Sequence, residues 1–255
     1  MNKRFQYYID LVGVLTQKEL KVRYKNNYFG YLWSMGQPLA SAAVFYVAFK
    51  VIMRVNIENY PLFIIAGLFP WQWFSNSVNT SSLVFTSNTS IMKKISVPSS
   101  LILLSAVLED MIHFVLSIPV IVLFLYLSHK RPFLSWCYGI PVLLMIQLLI
   151  IYGISLAVAS VTLFFKDLER LTGIFLGFIF YFIPIVYSKE MIPKKYTALF
   201  YANPLTPLMI SWKDLFLDGT FVWSFVSYSF LYGLLFFVIG FWIHRRLSWN
   251  FAEVL

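Results

Sequence analysis

Charge is scarce in this chain: Asp, Glu, Lys and Arg make up 12% of its 255 residues, about half the share of an ordinary soluble domain. Acids are the scarcer sign, 11 against 20 bases, for a net charge of +9. A single cysteine, Cys137, excludes an intrachain disulfide and a cysteine-based metal site. The three histidines, His113, His129 and His244, lie far apart and suggest no metal centre. The sequence lacks a G-x-x-x-x-G-K-[ST] phosphate loop, a Gly-rich nucleotide fingerprint and an H-E-x-x-H helix. No catalytic residue, metal ligand or resident cofactor is therefore expected. Any pumping by this chain would draw its energy from another polypeptide or from an ion gradient.

Apolar side chains are abundant instead. Hydrophobic residues reach 60% and aromatic residues 20%, with a mean hydropathy of +0.75. That is the composition of an all-α polytopic membrane protein in which Trp and Tyr anchor helices at the headgroups. The positive charge then reads as basic loops and contacts to anionic lipid, not as a nucleic-acid surface. Six apolar stretches, near residues 31–53, 61–85, 99–128, 137–165, 171–188 and 221–243, can each cross a hydrocarbon core of about 30 Å. Met1-Asn2-Lys3-Arg4 resembles the start of a signal peptide, but Asp10 and the lack of a cleavage site predict that it is retained. An even span count puts both termini on one side. Lys3, Arg4, Lys18, Lys21, Arg23, Lys25, Lys93, Lys94, Lys166, Arg170, Arg245 and Arg246 share that side and outnumber the bases opposite, which makes it cytoplasmic.

Two segments fit neither a span nor a plain loop. In residues 4–30, Phe5, Tyr8, Ile9, Val12 and Leu15 recur at helical spacing while Lys18, Glu19, Lys21 and Lys25 gather on a polar face. This predicts a helix lying in the membrane plane or packed on the bundle beside it. Residues 189–220 combine Pro193, Pro204 and Pro207 with seven charges and the apolar run 196–200. One or two short re-entrant helices, broken near Asn203-Pro204, are expected there; a helical hairpin on the outer surface is the other reading.

Ionisable residues inside a span are candidates for function. Glu109, Asp110 and His113 fall in the third stretch, with Glu109 and His113 one helical turn apart. They read either as a proton relay or as interfacial groups paired with Lys18, Lys21 or Arg23. Gly173 and Gly177 have the spacing that lets helices approach closely, as at a dimer contact. Between the second and third stretches, residues 86–98 carry Ile91, Met92 and Ile95 beside Lys93 and Lys94. A short helix with that apolar face can dock in a groove on a cytoplasmic partner.

Residues 18–39 contain Arg23-Tyr24, Phe29-Gly30, Trp33 and Pro38 in order. Three further blocks follow: Phe69-Pro70-Trp71-Gln72-Trp73-Phe74, Lys93-Lys94-Ile95-Ser96-Val97-Pro98, and Lys166-Asp167 through Pro184-Ile185-Val186-Tyr187 to Asn203-Pro204-Leu205. Together they resemble the ABC-2 type permeases that export polysaccharides, departing from the pattern at Phe29, Lys166 and Lys213. The resemblance covers nearly the whole chain and implies one transmembrane domain over residues 1–255. It implies a homodimer in the bacterial inner membrane, two ATPase subunits beneath it that bind the ATP and Mg, and a lipid-linked O-antigen, capsular or teichoic-acid polymer as cargo. Lys21, Arg23, Tyr24, Gly30, Trp33 and Pro38 would belong to the interface helix and its exit, within residues 1–30 and just beyond. Ile91, Met92, Lys93, Lys94, Ile95 and Pro98 would couple to the ATPase. Pro184, Tyr187, Asn203 and Pro204 would form an outward gate. Trp33, Tyr46, Phe49, Phe175, Phe178 and Phe182 are the candidates to line the path. A drug- or lipid-exporting relative, or a proton-coupled flippase using Glu109, Asp110 and His113, is the alternative.

Overall fold

The computed structural model describes residues 3–24, 32–94 and 97–254 and contains helices and turns, with no strand among those residues. Gly30 and Ile95 lie outside the described residues, as do the side chains of Tyr24, Trp33 and Lys94. The helices are α1 (Lys3–Tyr24), α2 (Leu32–Phe45), α3 (Tyr60–Ser87), α4 (Thr89–Lys94), α5 (Ser99–Leu127) and α6 (Trp136–Thr162). They continue with α7 (Leu168–Tyr181), α8 (Thr197–Ala202), α9 (Leu205–Asp218), α10 (Trp223–Leu247) and α11 (Phe251–Val254). Three of them, α5, α6 and α10, are long and apolar enough to cross a membrane on length and composition alone.

α3 is the hub of the bundle and packs against α2, α5, α6, α7 and α9. Its apolar residues cover most of its circumference, and Ile64, Ile65, Ala66, Leu68 and Phe69 are all at most 2% exposed. From Leu62 to Trp71 it is apolar all round and buried throughout, and the sequence achieves this with neighbours on several sides. α6 and α10 make the tightest pair. A Cβ on Gly240 would collide with the carbonyl oxygen of Gly153, and one on Gly153 would meet the Phe236 backbone at 2.5 Å. Only hydrogen at both positions lets the two backbones touch.

A second cluster of buried residues joins Leu15 of α1, Val84 and Phe85 of α3, Ile102 and Leu103 of α5, Leu156 and Ala159 of α6, and Phe251 of α11. The described ends of the chain therefore meet at one end of the bundle, together with the turn from α3 into α5. α1 packs there through Leu11, Leu15 and Thr16, while Tyr7, Tyr8, Ile9 and Val14 stay exposed. It is both packed on the bundle and apolar outside. Packing on the bundle is one of the two expected arrangements; Leu15 of the expected apolar face carries it, while Tyr8 and Ile9 of that face stay exposed.

The fifth stretch differs from expectation. The helix starts earlier, at Leu168, and stops at Tyr181, so residues 182–188 are irregular. Pro184 explains the stop, because it has no N–H to donate and disfavours helical backbone at Ile183 before it. The first stretch is also not a uniform α-helix: α2 passes into a wider π-helical segment, Tyr46–Ile52.

Candidate functional site

At the end of the bundle that holds the termini, α1 is bolted to α5 by charge. One guanidinium nitrogen of Arg23, Nη1, donates to Asp110 Oδ1 at 2.7 Å and to Glu109 Oε1 at 2.9 Å. Ser77 of α3 donates to the other Asp110 oxygen at 2.8 Å, and His113 Nε2 lies 3.0 Å from Glu109 Oε1. Glu109, Asp110 and His113 are all buried. Partial burial works against the Arg23 charge, but Asp110 and Glu109 outweigh it and hold the guanidinium above its ordinary range. Of the three bases anticipated as partners, Arg23 pairs with this cluster. Lys18 instead donates to Asn88 Oδ1 at 2.8 Å and to Glu19 at 2.9 Å. Lys21 is exposed.

Asn88 sits in the turn between α3 and α4, so Lys18 ties α1 to that turn as well. The buried Asn88 amide donates to the Val84 carbonyl at 3.1 Å and ends α3. Ile91 and Met92 are half-buried and pack on the cluster of Leu15, Phe85 and Ile102. Their apolar face points largely into the chain's own core, whereas Lys93 and Pro98 remain exposed. α4 is thus fixed to α1, α3 and α5 together.

At the opposite end, the irregular residues 182–188 follow α7. Irregular backbone at membrane depth must be covered by protein or water, and here protein covers it. Ile183, Ile185 and Val186 are at most 1% exposed. Tyr60 donates to the Val186 carbonyl at 2.7 Å. Lys213 of α9 donates to the carbonyls of Pro184 at 2.8 Å and Ile185 at 3.3 Å, with its ammonium 3.3 Å from the Phe63 ring centre. Tyr187 donates back to the Tyr181 carbonyl at 3.1 Å.

The chain breaks between α8 and α9 at Asn203-Pro204. Asn203 leaves helical backbone, and its side-chain oxygen accepts from the Leu205 N–H at 3.1 Å. α9 then runs inside the bundle, packed on α3, α6 and α10, with Leu208, Met209, Trp212, Leu215 and Phe216 wholly buried. Gln147, at 0% exposure in α6, accepts from Trp212 Nε1 at 2.6 Å and donates to the Pro70 carbonyl at 2.8 Å. One amide thereby joins three helices.

α7 divides two grooves. One, of 410 Å³, is shared with α2 and α3 and is lined by Gln37, Gln72, Asn76 and Asn79, by Gly173 and Gly177, and by aromatic rings. The other, of 850 Å³, is shared with α6, α10 and the start of α9 and is almost wholly apolar. Phe175 and Phe178 line the apolar one, at 65% and 64% exposure. Phe182 is exposed beyond the end of α7, and Tyr46 and Phe49 are half-buried against the core. Pro38 is buried inside α2. Among the candidates whose side chains are described, Phe175 and Phe178 share a groove that Tyr46, Phe49 and Phe182 do not line.

Sequence reasoning passed over Gln147, Ser77, Asn88 and the amides of α3. Gln147 had a usable signal, because an amide in an unbroken apolar run needs a partner at membrane depth. Among the described residues, no group of three or more His, Cys, Asp or Glu is placed to hold a metal ion.

Residues 10–217 match the family model described as ABC-2 type transporter. The O-antigen export system permease protein RfbA of Klebsiella pneumoniae is 42% identical over 255 residues, covering 100% of this chain and 98% of that protein. A protein of the same description from Myxococcus xanthus is 29% identical over 214 residues, 83% of this chain and 82% of that one. The polysialic acid transport protein KpsM of Escherichia coli is 25% identical over 225 residues, 86% of each chain.

Proposed function

This chain belongs to the ABC-2 type transporter family, and from that premise we propose that it is the membrane subunit of an ATP-driven exporter of lipid-linked O-antigen. The observation that carries the reading is end-to-end similarity, 42% over 255 residues, to a protein described as an O-antigen export permease. The alternative cargoes, drugs or free lipids, have no such support.

ATP and Mg are bound by separate subunits, in keeping with the absent phosphate loop. The bundle end that carries the termini, α4 and most of the basic residues faces the cytoplasm of a bacterial inner membrane. Two copies of this chain and two ATPase subunits form the working unit. The α3–α4–α5 turn rests on the ATPase through Lys93, Lys94, Ile95 and Pro98. Its ties to α1 through Lys18 and to the core through Ile91 and Met92 allow closure of the ATPases to move several helices at once.

At the outer side, Pro184, Tyr187, Asn203 and Pro204 mark the two backbone breaks around α8 and α9, where packed segments can swing about irregular joints. Trp33, Tyr46, Phe49 and Phe182 flank the path between the copies. Phe175 and Phe178 face the apolar groove, which suits hydrocarbon better than sugar. The Arg23 clasp supports a structural role for Glu109 and Asp110 over the proton-coupled alternative.

The test is to purify the chain from its own cells and delete its gene. A bound ATPase, vanadate-sensitive export and loss of surface O-antigen on deletion are expected. A permease that comes away alone and transports in the presence of vanadate sinks the proposal.

A further inference from the structure

On α3, Gln72, Asn76 and Asn79 follow one another at i, i+4 and i+7 and so share one face. The 28 residues of α3 span about 42 Å, which places all three within about 9 Å of its midpoint. Asn76 and Asn79 are exposed, Gln72 is partly so, and Gln37 of α2 faces the same groove. Among the described residues, none of these four side-chain amides bonds to another part of the chain.

Bare amides facing lipid are strongly disfavoured, so this face does not look onto hydrocarbon. The remaining wall is built to stay open. A Cβ on Gly177 would meet nothing within 4 Å, and one on Gly173 would meet only Asn79 Oδ1 at 3.5 Å. Among the described residues, Gly177 meets no neighbouring helix and Gly173 meets only the Asn79 side chain of α3. Aromatic rings complete the groove: Phe180 lies 5.4 Å from Phe45 and 5.7 Å from Trp71, and Tyr181 stands at the rim, 64% exposed. Among the described residues, no Lys, Arg, His, Asp or Glu lines it.

We propose that this groove is the hydrogen-bonding subsite for an uncharged glycan segment in transit, with Gln72, Asn76 and Asn79 as its specificity-determining residues. The inference rests on the polysaccharide-exporter reading and narrows its cargo. Amides both donate and accept, which matches a polymer of hydroxyl groups in any register. Ring faces take the C–H surfaces of sugars. Hydrogen bonds between neutral groups are modest one by one, so a chain can slip past them a unit at a time. A polyanion would lose its water here and gain no cation in return. A second copy does not fill the groove. A two-fold contact presents the same concave face from both sides, and the two grooves merge into one wider polar path.

The experiment replaces Gln72, Asn76 and Asn79 by leucine, singly and together, in cells carrying the complete exporter. The triple variant lowers surface polymer by about tenfold or more, the equivalent of one or two lost hydrogen bonds. Permease abundance, bound ATPase, ATP hydrolysis and cross-linked dimer stay close to normal, and Asn76→Gln recovers most export. Gly177→Leu, which fills the groove, reproduces the block. Unchanged export in the triple variant overturns the subsite. So does a loss of export that tracks loss of the cross-linked dimer, since the amides would then be packing two copies together. Sugar analysis of the exported polymer finds no acidic group in its repeat; an acid in every repeat overturns the uncharged assignment. Surface polymer that survives deletion of the gene refutes the exporter reading itself, and with it the subsite. Silent amide variants beside a deletion that abolishes export refute the subsite alone.

Discussion

Arg23 of α1 and Asp110 of α5, 87 positions apart in sequence, meet at 2.7 Å. The contact pins a surface helix to a spanning one through a charge pair that is buried on the acid side and 39% exposed on the basic side. A buried acid that loses its base costs about 3–5 kcal/mol when the pair is fully enclosed. Solvent around Arg23 reduces that figure here.

Arg23→Met is expected to lower stability by about 1–3 kcal/mol, because Glu109 and Asp110 stay behind uncompensated. Adding Asp110→Asn should restore part of the loss. A double-mutant cycle on thermal unfolding in detergent checks this, and simple additivity would show that the two residues are not coupled.

Lys213→Met removes the donor for two buried carbonyls in residues 182–188. Orphaned carbonyls of this kind cost about 1–3 kcal/mol, so the outer segment should loosen while the far end of the bundle is unchanged. Hydrogen exchange across residues 182–192 should rise in the variant. Lys213→Arg, which keeps the donors, should leave exchange near normal.

Gln147→Leu strips partners from Trp212 and from the Pro70 carbonyl at once. A loss of about 1–3 kcal/mol is expected. Trp212→Phe on top of it should cost less than Trp212→Phe alone, because the indole N–H is already orphaned and only the lost ring packing remains. Unfolding midpoints of the two variants and their combination test the point.

Gly240→Leu should be more damaging than either polar change. Its side chain would occupy the space of the Gly153 backbone, and α6 and α10 would have to separate. Overpacking at a helix crossing costs about 1–3 kcal/mol or more, and here the obstacle is backbone. The variant is expected to fail to accumulate in the membrane, with Gly240→Ala impaired in the same direction, as immunoblotting of membranes would reveal.

The sequence by itself determined that this chain is membrane-embedded, since 60% of its residues are apolar and 12% charged, and helical, since its apolar runs have the length of a spanning helix and not of a barrel strand. Composition and run length also gave the approximate positions of the helices. The pairing of Glu109 and Asp110 with a base from residues 18–23 was readable too, because a lone acid at a membrane edge needs a counter-charge. The tertiary structure alone decided which base it was. It decided that α9 is buried inside the bundle, that Gln147 joins three helices, and that Phe175 and Phe178 face away from the amides of α3. The physical reason is the same in each case. Hydrophobicity specifies that a residue avoids water, but lipid, core and partner all satisfy that demand equally. Which one covers a given face depends on neighbours far away in sequence, as the 89 positions separating Thr16 from its hydrogen-bond partner Ser105 illustrate.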